Sequence, residues 1–154
     1  MYTQAVIDRF NSPRHAAPTD PKGMYGAAGD PGGGPYVEIW IEMERALIDS
    51  EAERGHAVQD TSRATGRATG SSGWELPYNR TIRSAVFRTY GCPASVACAD
   101  LACAIATGRT PEQVMLLEPA DLVRILGGLP EGKEACAERA VTALHSALNK
   151  KAEV

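Results

Sequence analysis

The residues with the most chemistry to offer in this 154-residue chain are its four cysteines, Cys92, Cys98, Cys103 and Cys136. Thiolate is the form of cysteine that binds iron or zinc and accepts sulfur. Helix geometry sorts the four. Cys98 and Cys103 lie in "PASVACADLACAIATG", a helix of small residues that begins at Pro93. Cys103 falls roughly 16 Å beyond Cys92, and Cys98 about 9 Å along and ~120° around, so neither shares a metal with Cys92. Both read as small apolar core residues. Cys92 stands between Gly91 and Pro93, and proline at the first helical position makes Cys92 the N-cap. Cys136 falls in the first two turns of the last helix. Each thiol then faces the positive end of a helix dipole, which predicts a lowered pKa. Spacing alone still reads them as two unrelated buried thiols.

The other candidates are weaker. His15 reads as a solvated loop histidine, and Asp100 and Glu138 as solvated helix surface. No set of nucleophile, base and orienting residue is visible, so the chain does not read as an enzyme.

The elements that position these residues follow from periodicity. Residues 3–11 form a short amphipathic helix with Val6, Ile7 and Phe10 on one side, and Pro13, Pro18 and Pro21 break the pattern after it. "YVEIWIEM" alternates Val37, Ile39 and Ile41 against Glu38, Trp40 and Glu42, a strand with one buried face. "RTIRSAVFRTYG" alternates through Ile82, Ala85 and Phe87 and is its antiparallel partner. Between them, residues 45–79 are far longer than a hairpin needs, and the Arg-Ala-Thr-Gly repeat within "TSRATGRATGSSG" marks a solvent loop. After Pro93 the chain is helical. Thr110 and Pro111 cap one short helix, Gly127 and Gly128 close a second, and a last helix runs from near Pro130 to about Lys150 with Ala140, Leu144 and Leu148 inward. The order predicts an α+β fold, a small antiparallel sheet packed against several helices in two layers.

Totals bound the class. Residues 1–154 make one domain, 44% hydrophobic and 23% charged, with a net charge of −3. There is no basic footprint for nucleic acid. No apolar run approaches the ~20 residues that span a bilayer. The opening residues lack the apolar centre of a signal peptide, which predicts a cytoplasmic protein.

Three segments carry a resemblance. "YTQAVIDRFNSPRH", "VFRTYGCPASVA" and "LPEGKEACAERAVTAL" resemble, in order, the opening helix, the second cysteine motif and the third cysteine segment of the IscU/NifU-type iron–sulfur cluster scaffolds. The likeness covers nearly the whole chain outside the 45–79 insertion. It implies an IscU-like two-layer fold and a site for transient [2Fe–2S] assembly. It also implies a cysteine desulfurase, recipient apo-proteins and an Hsp70-type chaperone as partners. In that family three cysteines, an aspartate and a histidine form the site. The second and third cysteines map onto Cys92 and Cys136, and the chaperone-recognition segment onto Leu129, Pro130, Glu131, Gly132 and Lys133, with Glu131 in place of its second proline.

The chain departs from the family where the first cysteine should stand. The glycine-rich stretch before the first long strand reads Gly29-Asp30-Pro31-Gly32-Gly33-Gly34-Pro35. Gly33 fills the cysteine slot and Pro35 the aspartate slot. A second register puts Asp30 in the aspartate slot and Ala28 in the cysteine slot. The histidine slot is Ala135. The stretch is not a phosphate loop either, because it leads into a strand and not into a helix N-terminus.

A [2Fe–2S] cluster takes four protein ligands, and structural zinc, the alternative occupant, also takes four. The chain offers Cys92, Cys136 and, as a harder donor, Asp30. Three readings stay open: a homodimer holding a bridging cluster, a persulfide acceptor without a cluster in which Cys136 takes sulfur and Cys92 resolves it, and a degenerate partner-binding module.

Overall fold

The computed structural model describes residues 1–30, 32–44 and 81–153. The insertion expected at 45–79 lies outside the described residues. Helix α1 (Gln4–Asn11) is followed by strands β1 (Met24–Gly29), β2 (Tyr36–Met43) and β3 (Ile82–Tyr90), and then by helices α2 (Pro93–Ala106), α3 (Pro111–Met115), α4 (Pro119–Ile125) and α5 (Glu134–Glu153). The strands form an antiparallel sheet in the order β1-β2-β3. Helices cover one face, so the fold is α+β in two layers, as the element order predicts.

Period-2 alternation sets the two faces of the sheet. Val37, Ile39, Ile41, Ile82, Ala85 and Phe87 point into the core. Trp40 points out, with Tyr25 5.3 Å away across the β1–β2 pair and the Arg88 guanidinium 5.1 Å over its ring. The Tyr25 hydroxyl donates to Glu38 at 2.8 Å.

Strand β1 is an element that periodicity does not announce. "MYGAAG" has no alternating bulky residues, and the stretch from Gly23 reads as a loop. Its pairing comes from β2: Gly26 sits opposite Ile39 on the buried face. A Cβ added at Gly26 would lie 2.2 Å from the Ala147 nitrogen and 2.4 Å from the Ala143 oxygen. Bare glycine thus lets the α5 backbone lie directly on the sheet. The helix answers with a small-residue face, Ala140, Ala143 and Ala147, all fully buried.

Helix α2 is buried almost all round, as a central helix must be. Residues 15–17 run parallel beside β3, with the Phe87 amide donating to the His15 carbonyl at 2.9 Å and the Ala17 amide to the Phe87 carbonyl at 2.7 Å. They cover the outer edge of the sheet. His15 is therefore half-buried, with its Nδ1 3.2 Å from the Ala85 carbonyl oxygen, and is not the solvated loop residue expected.

Further expectations need correction. Asp100 is not surface: it is 1% exposed. Its carboxylate accepts from Arg9 Nη1 at 2.7 Å and from the backbone amides of Arg14 and His15 at 2.8 and 2.9 Å. Those bonds fasten α1 and the segment after it to α2. Glu138 is exposed as expected. On α1 only Val6 is buried, while Ile7 and Phe10 are 37% and 43% exposed. The last helix begins at Glu134 and not near Pro130, because Gly132 at φ +87° turns the chain first. The caps hold: Thr110 and Gln113 form a capping box on α3, and Gly127 and Gly128 take positive φ after α4.

Candidate functional site

Two helix starts converge to make the site. Cys92 is the N-cap of α2, with extended backbone and Pro93 behind it. Cys136 is the third residue of α5, 3% exposed. Their sulfurs lie 3.7 Å apart. The structure therefore brings together the two cysteines that sequence spacing leaves unconnected. Cys98 and Cys103 are fully buried, as their Ala-rich surroundings predict. Burial pushes the Cys98 thiol up to about 12 and the Cys103 thiol well above its ordinary value.

Neighbours that the sequence does not single out surround the pair. Ser95, one turn into α2, donates its hydroxyl proton to Cys136 Sγ at 3.4 Å and sits 4.0 Å from Cys92 Sγ. Arg139, one turn into α5, points Nη2 at Cys136 Sγ from 3.8 Å. Its Nε is buried with no hydrogen-bond partner. The signal that could have found both is the i, i+3 spacing from each cysteine, which puts them on the same helix face. Tyr2 and Lys133 interact with the Cys92 side: burial and then the hydrogen bond to Cys92 raise the Tyr2 pKa, and the charge of Cys92 raises that of Lys133. Gly91 makes room, since a Cβ there would lie 2.7 Å from Ser95 Oγ.

The two thiols are not equivalent. Burial works against the Cys92 thiolate, but the amides of Ser95 and Ala94 at the helix start, with the Cys136 thiol and the Tyr2 hydroxyl, outweigh it and bring its pKa down to about 6. Burial dominates at Cys136, and with the neighbouring Cys92 thiolate it raises that pKa despite Ser95 and Arg139. The expectation of two lowered thiols thus holds for Cys92 and reverses for Cys136. Near neutral pH the pair is one thiolate beside one thiol.

Asp30 does not join them. It is exposed in the β1–β2 turn, where its carbonyl accepts from the amides of Gly33 and Gly34 at 2.8 and 3.0 Å. Among the described residues no three of His, Cys, Asp and Glu gather in a metal-holding group. The turn still flanks the site, for Pro35 would lie 3.9 Å from a Cβ on Gly91. Gly32, Gly33 and Gly34 face Tyr36 and Tyr90 across a cleft of about 390 Å³. The aromatic wall is a stacked pair, with ring centroids 6.3 Å apart. Leu129 packs partly against the core, Pro130 is half-buried, and Lys133 is drawn to Cys92.

A pair of thiolates each bound ~2.3 Å from one tetrahedral metal ion would sit ~3.8 Å apart. The observed 3.7 Å is that spacing. It is also the ordinary contact distance of two thiols that share a hydrogen bond.

A family model described as the NifU-like N-terminal domain matches residues 74–153. The iron–sulfur cluster assembly scaffold proteins IscU 1 and IscU 2 of Archaeoglobus fulgidus are each 24% identical over 148 residues, covering 96% of this chain and 74% of theirs. The scaffold protein IscU of Aquifex aeolicus is 22% identical over 147 residues, covering 96% of this chain and 73% of its own. Among solved structures, a hypothetical protein superposes with a TM-score of 0.57 at 14% identity over 95% of both chains. A putative iron–sulfur cluster assembly scaffold for the SUF system from Fervidobacterium islandicum does so at 0.54, with 10% identity over 93% of both chains. These two show the likeness of fold.

Proposed function

The chain belongs to the NifU-like N-terminal domain family, and from that premise we propose that it is a scaffold for iron–sulfur cluster assembly, not an enzyme, with Cys92 and Cys136 as its own two ligands. The observation that carries this reading is the 3.7 Å sulfur–sulfur contact, the spacing of two ligands on one iron. In a [2Fe–2S] cluster each iron takes two protein ligands, four in all. One chain supplies one such pair, so two chains facing each other supply the full set, with the cluster as cargo bridging the homodimer.

The glycine-rich turn supports the arrangement. Where the family carries a cysteine, Gly33 and its neighbours leave an open cleft beside Tyr36 and Tyr90, room for a second copy to approach. Sulfur in this reading comes from a cysteine desulfurase, and the cluster passes to recipient apo-proteins. Lys133 then serves as a counter-charge for Cys92 more than as a chaperone contact, since its ammonium interacts with that sulfur.

The test is anaerobic purification and reconstitution with iron and sulfide, read by metal and acid-labile sulfide analysis, absorption spectrum and native mass, on wild type and Cys92→Ser. Iron and sulfide at about one each per chain, held in a dimer and lost in the variant, is the expected result. Wild type that takes up neither after reconstitution overturns the scaffold reading. Zinc without sulfide, resistant to displacement by iron, replaces it with a structural metal site.

A further inference from the structure

We propose that Arg139 selects what the Cys92–Cys136 pair carries: its guanidinium disfavours a bare divalent cation at the two sulfurs and favours a load that brings its own sulfide. The first half concerns only this chain and a divalent ion. The second half rests on the scaffold reading.

The placement of Arg139 is specific. It stands one turn beyond Cys136 on α5, on the same helix face, with Nη2 3.8 Å from Cys136 Sγ. The residue is half-buried, so solvent ions screen its charge less than that of a surface arginine. On the other side of the pair, the Lys133 ammonium interacts with Cys92. Among the described residues no carboxylate or imidazole joins the two cysteines in a metal-holding group. Glu134 is turned to the backbone, accepting from the Gly132 amide at 3.2 Å, and Glu138 is exposed. Sites built for a divalent ion put carboxylates or carbonyls behind their ligands. Here the neighbours of the sulfurs are cations.

Charge separates the two kinds of load. Two thiolates on one divalent ion make a neutral centre, and the repulsion between that ion and the guanidinium cancels the attraction of the sulfurs. An oxidised [2Fe–2S] core carries two positive charges, shared between the thiolate pairs of two chains. Each chain's centre then keeps a net negative charge, which Arg139 favours. One-electron reduction adds another negative charge and strengthens that preference.

Hydrogen bonding points the same way and is independent of the charge count. Arg139 Nε is buried and has no partner. A buried donor left unpaired is costly, and a bare cation offers it no acceptor. Inorganic sulfide is an anionic acceptor, the kind that makes the stronger hydrogen bonds. Ser95 does not discriminate between loads in this way, because it is uncharged and its hydroxyl already donates to Cys136 Sγ at 3.4 Å.

The experiment uses the reduced full-length chain under anaerobic conditions. Cobalt(II) is titrated against a chromophoric chelator and followed by its thiolate charge-transfer absorption, in wild type, Arg139→Gln, Arg139→Lys and Cys92→Ser. Cys92→Ser should lose the band, which ties it to the pair. Arg139→Gln should bind cobalt about tenfold more tightly than wild type, as removal of a unit charge near a partly solvated centre implies. Arg139→Lys, which keeps the charge, should stay close to wild type. After reconstitution with iron and sulfide, the cluster in Arg139→Gln should have a lower reduction potential than in wild type, read by dye-mediated titration. Damage to the fold would weaken cobalt binding, the opposite of the expected shift, and circular dichroism of each variant checks that it is folded. Cobalt affinity in Arg139→Gln equal to or below that of wild type, an Arg139→Lys protein that behaves as Arg139→Gln, or an unmoved potential overturns the proposal. The two readings fail separately. Iron and sulfide taken up with cobalt affinity unmoved by Arg139→Gln leaves the scaffold standing without this role for Arg139. A wild type that takes up neither iron nor sulfide overturns the scaffold reading and the preference for a sulfide-bearing load, while the cobalt shift still decides whether Arg139 opposes divalent ions.

Discussion

Gly26→Ala is a change of one methyl group on a strand, and the structure turns it into a sharp test of how α5 is seated. The new Cβ would lie 2.2 Å from the Ala147 nitrogen, 2.4 Å from the Ala143 oxygen and 2.7 Å from the Ala147 Cα. Carbon contacts settle near 3.5–4.0 Å, so the helix must retreat by on the order of 1 Å. All three atoms are backbone, and no rotamer relieves them. Overpacking of this kind costs typically 1–3 kcal/mol, and the absence of a flexible neighbour puts this case near 3. Alanine also recovers about 0.5–1 kcal/mol through a less flexible unfolded chain. The net loss is then roughly 2 kcal/mol, with the clash setting the sign. Urea denaturation followed by circular dichroism measures it. Gly34→Ala is the control: nothing lies within 4 Å of its Cβ, so it should be neutral or slightly stabilising. Adding Ala147→Gly to Gly26→Ala should not restore stability, because removing the Ala147 side chain leaves the clashing backbone in place. A Gly26→Ala protein as stable as wild type, or rescued by Ala147→Gly, would refute the packing argument.

Other outcomes follow from the same contacts. Asp100→Ala leaves the part-exposed Arg9 guanidinium and two backbone amides without their buried acceptor, and should cost about 1–3 kcal/mol in urea denaturation. Alkylation of Cys92 by iodoacetamide should rise through a midpoint near pH 6, and Lys133→Met should move that midpoint upward by removing the facing ammonium. The lowered Cys92 pKa, about 6 against an ordinary 9.0, makes its thiolate a stabilising group in the folded state. That contribution is fully present above pH 9 and is lost as pH falls toward about 6, so the stability gap between wild type and Cys92→Ala should widen as pH rises from about 6 to 9. Cys136, raised, acts with the opposite sign as pH climbs beyond its unfolded value. Cys98 and Cys103 should resist alkylation in the native protein and label only in denaturant.

How much of this was legible beforehand depended on where the determining physics lay. Strands β2 and β3, the caps at Thr110 and Gly127, and the N-cap place of Cys92 are local, and alternation or turn chemistry announces them. Strand β1 is not local: "MYGAAG" is a strand because β2 pairs with it and α5 needs its bare glycine. Asp100 looked like surface because nothing near it in the chain reveals that Arg9 and the amides of residues 14 and 15 converge on it. The site divides in the same way. Two helix-start cysteines can be read from the sequence, but their 3.7 Å meeting depends on how α2 and α5 pack. So does the reversal at Cys136, where burial overrides the helix dipole. Dipoles follow from the chain, whereas desolvation follows from the fold.

The meeting of α2 and α5 at their N-termini has a thermodynamic consequence. In the proposed scaffold, a metal ion that bridges Cys92 and Cys136 ties together two helices that otherwise meet there through weak sulfur contacts. Occupancy and fold stability are then linked, and the coupling is reciprocal: a loaded chain resists separation of the helix starts, and a force that separates them loosens the load. A partner need not compete for the sulfurs to discharge them. In the proposed scaffold, prying α5 from α2 by an ångström or so lengthens the bite of the pair beyond what one ion spans.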